Sequence, residues 1–137
     1  MRAFARILAV ALVAVAAACG GSDGINEPGQ GVAGTYALQT VNGAALPFVF
    51  FEGDGFKLEV TAATYVLEAS GSFTNSASFR ETRNGVVTTS SEVGTGKYAV
   101  RGTTVTFTDT DGDVQVGEIS GNKLQFTGDG ITAVFVR

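Results

Sequence analysis

The sequence predicts an all-β fold, an antiparallel up-and-down β-barrel of about 8–10 strands. Three observations carry it. From Gly34 onward apolar residues recur at every second position among Thr, Val, Phe and Tyr, the period of a strand with one buried face. Pairs such as Asn42-Gly43, Asp54-Gly55, Asn84-Gly85 and Asp129-Gly130 punctuate the chain, and they suit the two-residue loops of tight hairpins. Helical periodicity is missing. Strands joined by short turns are antiparallel neighbours, and closing such a meander into a barrel removes its exposed edges. A two-sheet β-sandwich is the alternative, but it calls for longer crossings than these turns supply.

The elements follow in order. Tyr36, Leu38 and Thr40 alternate with Ala37, Gln39 and Val41 before Asn42-Gly43. Residues 44–51, Ala-Ala-Leu-Pro-Phe-Val-Phe-Phe, form the most apolar run beyond the leader. Pro47 cannot donate to a ladder, so this run is expected at a strand edge, a lid or a barrel-mouth loop. Phe56, Leu58 and Val60 mark the next strand. Phe73, Ala77 and Phe79 alternate with Thr74, Ser76, Ser78 and Arg80 before Asn84-Gly85. Residues 70–91 are rich in Ser and Thr, which predicts a long hairpin, polar on both faces and overhanging the barrel. Tyr98 and Val100 lead into Arg101-Gly102, and Val105 and Phe107 lie among threonines. Val114 and Val116 precede Ser120-Gly121-Asn122, Leu124 and Phe126 precede Gly128-Asp129-Gly130, and Ile131, Ala133 and Phe135 close the chain. The alternating threonines are the expected wet face.

The first 18 residues read as a leader. Arg2 and Arg6 precede an unbroken apolar run over residues 7–18, the charged and apolar regions of a signal peptide. Twelve helical residues would rise only about 18 Å, short of a hydrocarbon core of roughly 30 Å. Ala16-Ala17-Ala18-Cys19 resembles the lipobox of bacterial lipoproteins, with Ala16 where leucine is usual. The resemblance implies cleavage before Cys19 and lipidation, palmitate included, of its thiol. Ordinary cleavage at Ala14-Val15-Ala16 is the alternative. Gly20-Gly21-Ser22-Asp23-Gly24 opens a Gly/Ser-type tether, so the expected organisation is signal peptide 1–18, flexible tether 19–33 and barrel domain 34–137. Gly20, rather than aspartate, after the cysteine points to the outer membrane over the inner by resemblance to enterobacterial sorting rules. The expected location is the bacterial cell envelope, with membrane attachment through Cys19.

Composition narrows the function. The chain has 137 residues, a net charge of −4, one cysteine and no histidine. Removing Arg2 and Arg6 with the leader makes the remainder more acidic still. An acidic chain without a basic cluster is no partner for nucleic acid. Without histidine, no Ser-His-Asp or Cys-His site can exist within this chain, and the commonest metal ligand is lacking. No enzyme activity, metal or cofactor is expected.

Gly34-Thr35-Tyr36, running into Leu38, Val41-Asn42-Gly43 and Leu46-Pro47, resembles the start of small bacterial lipocalin-like lipoproteins. So does the rhythm of Gly96, Tyr98, Val100, Gly102, Thr104-Val105-Thr106-Phe107, Gly117, Ile119, Gly121-Asn122 and Leu124. The resemblance spans residues 34–137. It implies a lipocalin-like barrel in which Tyr36 replaces the family's tryptophan and Arg137 packs over it. It also implies, for many members, a small apolar ligand.

Other motifs have plainer readings. Asp109-Thr110-Asp111-Gly112-Asp113 begins like a calcium loop, but its glycine is at position four instead of six and Ser120 stands at position twelve. A hairpin turn is expected there. Glu59, Glu68, Glu81, Glu92 and Glu118 are expected as solvated outer-face charges. Phe48, Phe50, Phe51 and Tyr36 are the candidate ligand-binding residues. The expected function is a lipid-anchored, extracytoplasmic, non-catalytic barrel that binds a small apolar ligand. A barrel that binds or inhibits an envelope protein is the alternative.

Overall fold

The computed structural model describes residues 31–137. Ten strands follow one another: β1 (Gly34–Val41), β2 (Ala44–Ala45), β3 (Phe48–Gly53), β4 (Phe56–Leu67), β5 (Ser72–Arg83), β6 (Val86–Arg101), β7 (Thr104–Asp109), β8 (Val114–Ser120), β9 (Lys123–Gly128) and β10 (Ile131–Val136). β4 to β9 each pair antiparallel with their successor, β10 pairs with β1, and β1 pairs with the C-terminal half of β4. That last pairing closes an eight-stranded up-and-down barrel, and the architecture fits a lipocalin-like barrel. β2 and β3 are additions, β2 against β1 and β3 against the N-terminal half of β4.

The hairpin geometry follows from local chemistry. Asn42, Asp54, Asn84 and Asp129 all take positive φ, each before a glycine that does the same. Two successive left-handed residues define a type I′ turn, whose twist matches that of the strands it joins. Gly102 and Gly121 each take the first, left-handed place in their turns, as a type II′ loop requires.

The barrel is filled. Tyr36, Val105 and Leu124 are wholly buried, with Leu67, Phe73, Tyr98, Phe107, Ile119, Phe126 and Phe135 close behind. Tyr65 sits at the centre, its ring 5.0 Å from Phe107, 5.1 Å from Phe126, 5.3 Å from Phe135 and 6.1 Å from Phe73. These are packing distances for aromatic rings. Its hydroxyl donates to Oε1 of Gln115 at 2.7 Å, and burial drives its pKa up. Glycines make the room. A Cβ on Gly117 would meet the Phe126 ring at 2.9 Å. One on Gly96 would strike the Thr108 carbonyl oxygen and, at 2.7 Å, the Phe73 ring.

One end of the barrel is sealed. Tyr36 donates its hydroxyl to the Val32 carbonyl, and Tyr98 donates to that of Glu68, both at 2.7 Å. Arg137 lies over the Tyr36 ring, 5.6 Å from its centroid, as the family resemblance implied. The same guanidinium donates to the carbonyls of Gly31 and Ala33 at 3.0 and 2.9 Å. Residues 31–33, assigned to the tether by sequence, are thus held against the barrel. The expected signal peptide, the rest of the tether and Cys19 lie outside the described residues.

At the other end β4, β5 and β6 run on past the barrel. β6 meets β7 only from Gly96 onward, whereas its pairing with β5 extends to Val86. Together with β3, these halves form a projecting four-stranded sheet, the predicted overhang, but its inward face is not polar as expected: Phe79, opposite Val60, packs against the core. In β8, Val114 and Val116 face outward, 56% and 52% exposed, while Gly117 and Ile119 face the core.

Candidate binding surface

The site is built on β3, an edge strand of six residues. Pro47 precedes it, as its missing N–H demands. The register between β3 and β4 slips between Val49 and Phe51, so that Phe48 opposes Val60, Val49 opposes Glu59 and Phe51 opposes Leu58. Phe50 is therefore the extra residue of a β-bulge, and a bulge re-aims side chains. Consecutive Phe50 and Phe51 would point to opposite sides of a regular strand. Here Phe50 packs edge-on against Phe48 at 5.3 Å, and Phe51 lies 5.8 Å from Phe56.

The result is an aromatic lip on the inward-facing side of the projecting sheet. Phe48 and Phe50 are half-buried against the core, together with Phe79, while Phe51 is 54% exposed. Arg83 lies over the Phe56 ring at 4.9 Å and also pairs with Glu81 at 3.0 Å. A guanidinium there gives the lip a charged rim beside a π-face.

The opposite face of the same sheet carries an ion triple. Glu59 accepts from Arg80 Nε at 2.8 Å, and Lys57 Nζ lies 3.1 Å from its other oxygen. Glu59 was expected as a solvated outer-face charge; it is instead 3% exposed. With each carboxylate oxygen held by a cation, the charge can leave water. The Arg80 hydrogen bond, opposed by desolvation and helped by Lys57, pulls the Glu59 pKa down to about 2.

The other sequence candidates are placed as follows. Phe48, Phe50 and Phe51 are brought together with Phe56. Tyr36 is not with them: it opposes Tyr65 on β4, five residues closer to the sealed end than Val60, the partner of Phe48. Buried beneath Arg137, the Tyr36 hydroxyl has its pKa raised by burial against the opposing pull of that charge. The calcium-like run is a turn in which Asp109 Oδ1 accepts from the backbone N–H of Asp111 and Asp113, both at 2.9 Å. Among the described residues no group of three or more His, Cys, Asp or Glu side chains could hold a metal ion. Glu68 falls in the turn after β4, exposed, and not in a strand. Sequence reasoning missed Phe56 and Arg83 as members of the lip. Their only signal was period-two parity with Leu58 and Phe79, which core residues share. No family model, curated protein or solved structure matches the chain.

Proposed function

We propose that the chain is a non-catalytic, lipid-anchored module of the bacterial cell envelope, akin to lipocalin-like lipoproteins, and that it binds through the aromatic lip. The observation that carries this reading is the pairing of a filled barrel with exposed aromatics at its far end. Five rings occupy the middle of the barrel in mutual contact, which leaves the interior to its own side chains. Phe51, by contrast, stands in water, and an exposed aromatic on a rigid strand is a natural anchor for a partner surface.

The polarity of the fold supports the same reading. Gly31 is fixed at the sealed end, and β1 carries the chain about 25 Å from there to Asn42. A lipid on Cys19 joins the membrane to the sealed end, through a dozen residues spanning at most about 40 Å. The lip lies at the opposite end of the barrel from that attachment. An apolar segment of an envelope protein fits this placement better than a ligand inside the barrel. A small apolar molecule held on the lip by Phe48, Phe50 and Phe51 is the second reading, favoured by the Arg83–Phe56 rim.

One experiment separates them in cells. A photo-crosslinking residue is placed at Phe51 and, as a control on the outer barrel face, at Thr106. The intact mass of the recovered chain is read alongside, and a diacylated or triacylated Cys19 is expected. Protein adducts at position 51 alone support the proposal. Adducts at neither position, with an anilinonaphthalene sulfonate probe bound by wild type but not by F51S, support the small-molecule reading. A soluble chain beginning at Ala17 overturns the anchor.

A further inference from the structure

The projecting sheet has two edges, and they are built differently. The β3 edge is short, follows Pro47 and is broken by the bulge at Phe50, the usual devices against strand addition. The β6 edge has none of these. Over residues 86–93, Val-Val-Thr-Thr-Ser-Ser-Glu-Val, there is no proline, no lysine or arginine, and no register shift against β5. Among the described residues no strand pairs with its outer side there. Val87 and Val93 are 57% and 71% exposed on one face.

The direction of the free backbone groups is fixed by the hydrogen bonds at the strand's other half. Tyr98 donates its N–H to Gly71 on the β5 side, and Thr95 accepts from Thr110 on the opposite side. Hydrogen-bonded pairs alternate along an antiparallel ladder. Even-numbered residues of β6 therefore point their N–H and C=O toward β5, and Val87, Thr89, Ser91 and Val93 point theirs outward.

We propose that this edge pairs with the same edge of a second copy of the chain, antiparallel about a twofold axis at Ser90. A twofold axis normal to the sheet pairs residues whose numbers sum to an even value, so outward-pointing residues meet outward-pointing residues. With the axis at Ser90, Thr89 meets Ser91 of the second copy and Val87 meets its Val93. All four free residues of each chain are then used, in four pairs and about eight backbone hydrogen bonds. The two most exposed valines of the sheet's outer face cover one another, and the one charge, Glu92, opposes Thr88. An axis at Ser91 instead asks Thr95 for a carbonyl already engaged by Thr110, and leaves Val87 without its valine partner. The edge is thus self-complementary in hydrogen bonding, apolar surface and charge at one register. A closed twofold pair also ends the sheet, as an exposed edge requires.

The test is disulfide trapping in the full chain, in cells, under mild oxidation. Ser90 and its symmetry mate form a non-hydrogen-bonded pair with Cα atoms about 4.5 Å apart, within disulfide reach. S90C is expected to give a cross-linked dimer. Wild type, whose only cysteine is Cys19, and T88C, whose copies lie four registers apart, are expected to give none. In the S90C background, V87K/V93K sets lysine against lysine and is expected to cut the yield about tenfold, whereas V87K/V93E restores it. All four positions are exposed, so equal melting temperatures confirm that folding is intact. No dimer from S90C, equal yields from T88C, a yield indifferent to V87K/V93K, or S90C cross-linked to a different protein each overturns the proposal.

Discussion

Arg137 rests over the ring of Tyr36, its guanidinium carbon 5.6 Å from the ring centroid, so that the last residue of the chain covers the first core residue of β1. Gly34 makes that position available. Its φ is +146, and a Cβ there would stand 2.6 Å from Arg137 Cδ. The sealed end therefore joins a glycine and an aromatic at the start of the domain to an arginine at its end.

Removing the arginine removes a cation–π contact of about 0.5–1 kcal/mol and two hydrogen bonds of roughly 0.5–1.5 kcal/mol each. R137A is expected to lose about 1.5–4 kcal/mol in urea denaturation. G34A forces the same arginine off the ring and strains the backbone, so it is expected to fall in the same range. Because both act through one contact, the double variant is expected to cost less than the sum of the two. Strict additivity would show that Gly34 and Arg137 act independently.

Phe107 and Thr106 test the barrel interior. Phe107 is 2% exposed and touches Tyr65, Phe73, Tyr98 and Phe126. F107A is expected to cost about 3–5 kcal/mol. Thr106, one residue away on the outer face, is expected to cost under about 0.5 kcal/mol as T106A. Equal losses by denaturant titration would contradict a single inner face.

Glu59 carries a pH signature. Its folded pKa, about 2, lies below the ordinary carboxylate value of 4.5. A depressed carboxylate stabilises the fold above its unfolded pKa and loses that contribution as pH falls toward the folded pKa. Melting temperature is expected to drop between pH 5 and 2 by more in wild type than in E59Q, whose side chain does not titrate. Parallel curves for the two proteins would remove Glu59 from acid unfolding.

Local chemistry made much of this fold legible in the chain. The Asn-Gly and Asp-Gly turns and the strand faces around Tyr36/Leu38, Val105/Phe107 and Leu124/Phe126 are properties of neighbouring residues. Antiparallel order then follows from short connections, and the place of Arg137 over Tyr36 was an expectation drawn from a resemblance of a few residues. Other features depend on partners distant in sequence. Val114 and Val116 face water because β8 offers the core Gly117 and Ile119, and Gly117 is there to admit Phe126. Glu59 is buried because β5 brings Arg80 across from it. Phe50 and Phe51 share a lip because β3 slips one residue against β4, which no period-two reading can supply. Composition and periodicity determined the strands, their turns and the sequence of neighbours. Only the tertiary structure decided how β1 and β3 divide the edge of β4 between them, since strand closure and register are settled by which side chains fit together across the sheet and not by either strand alone.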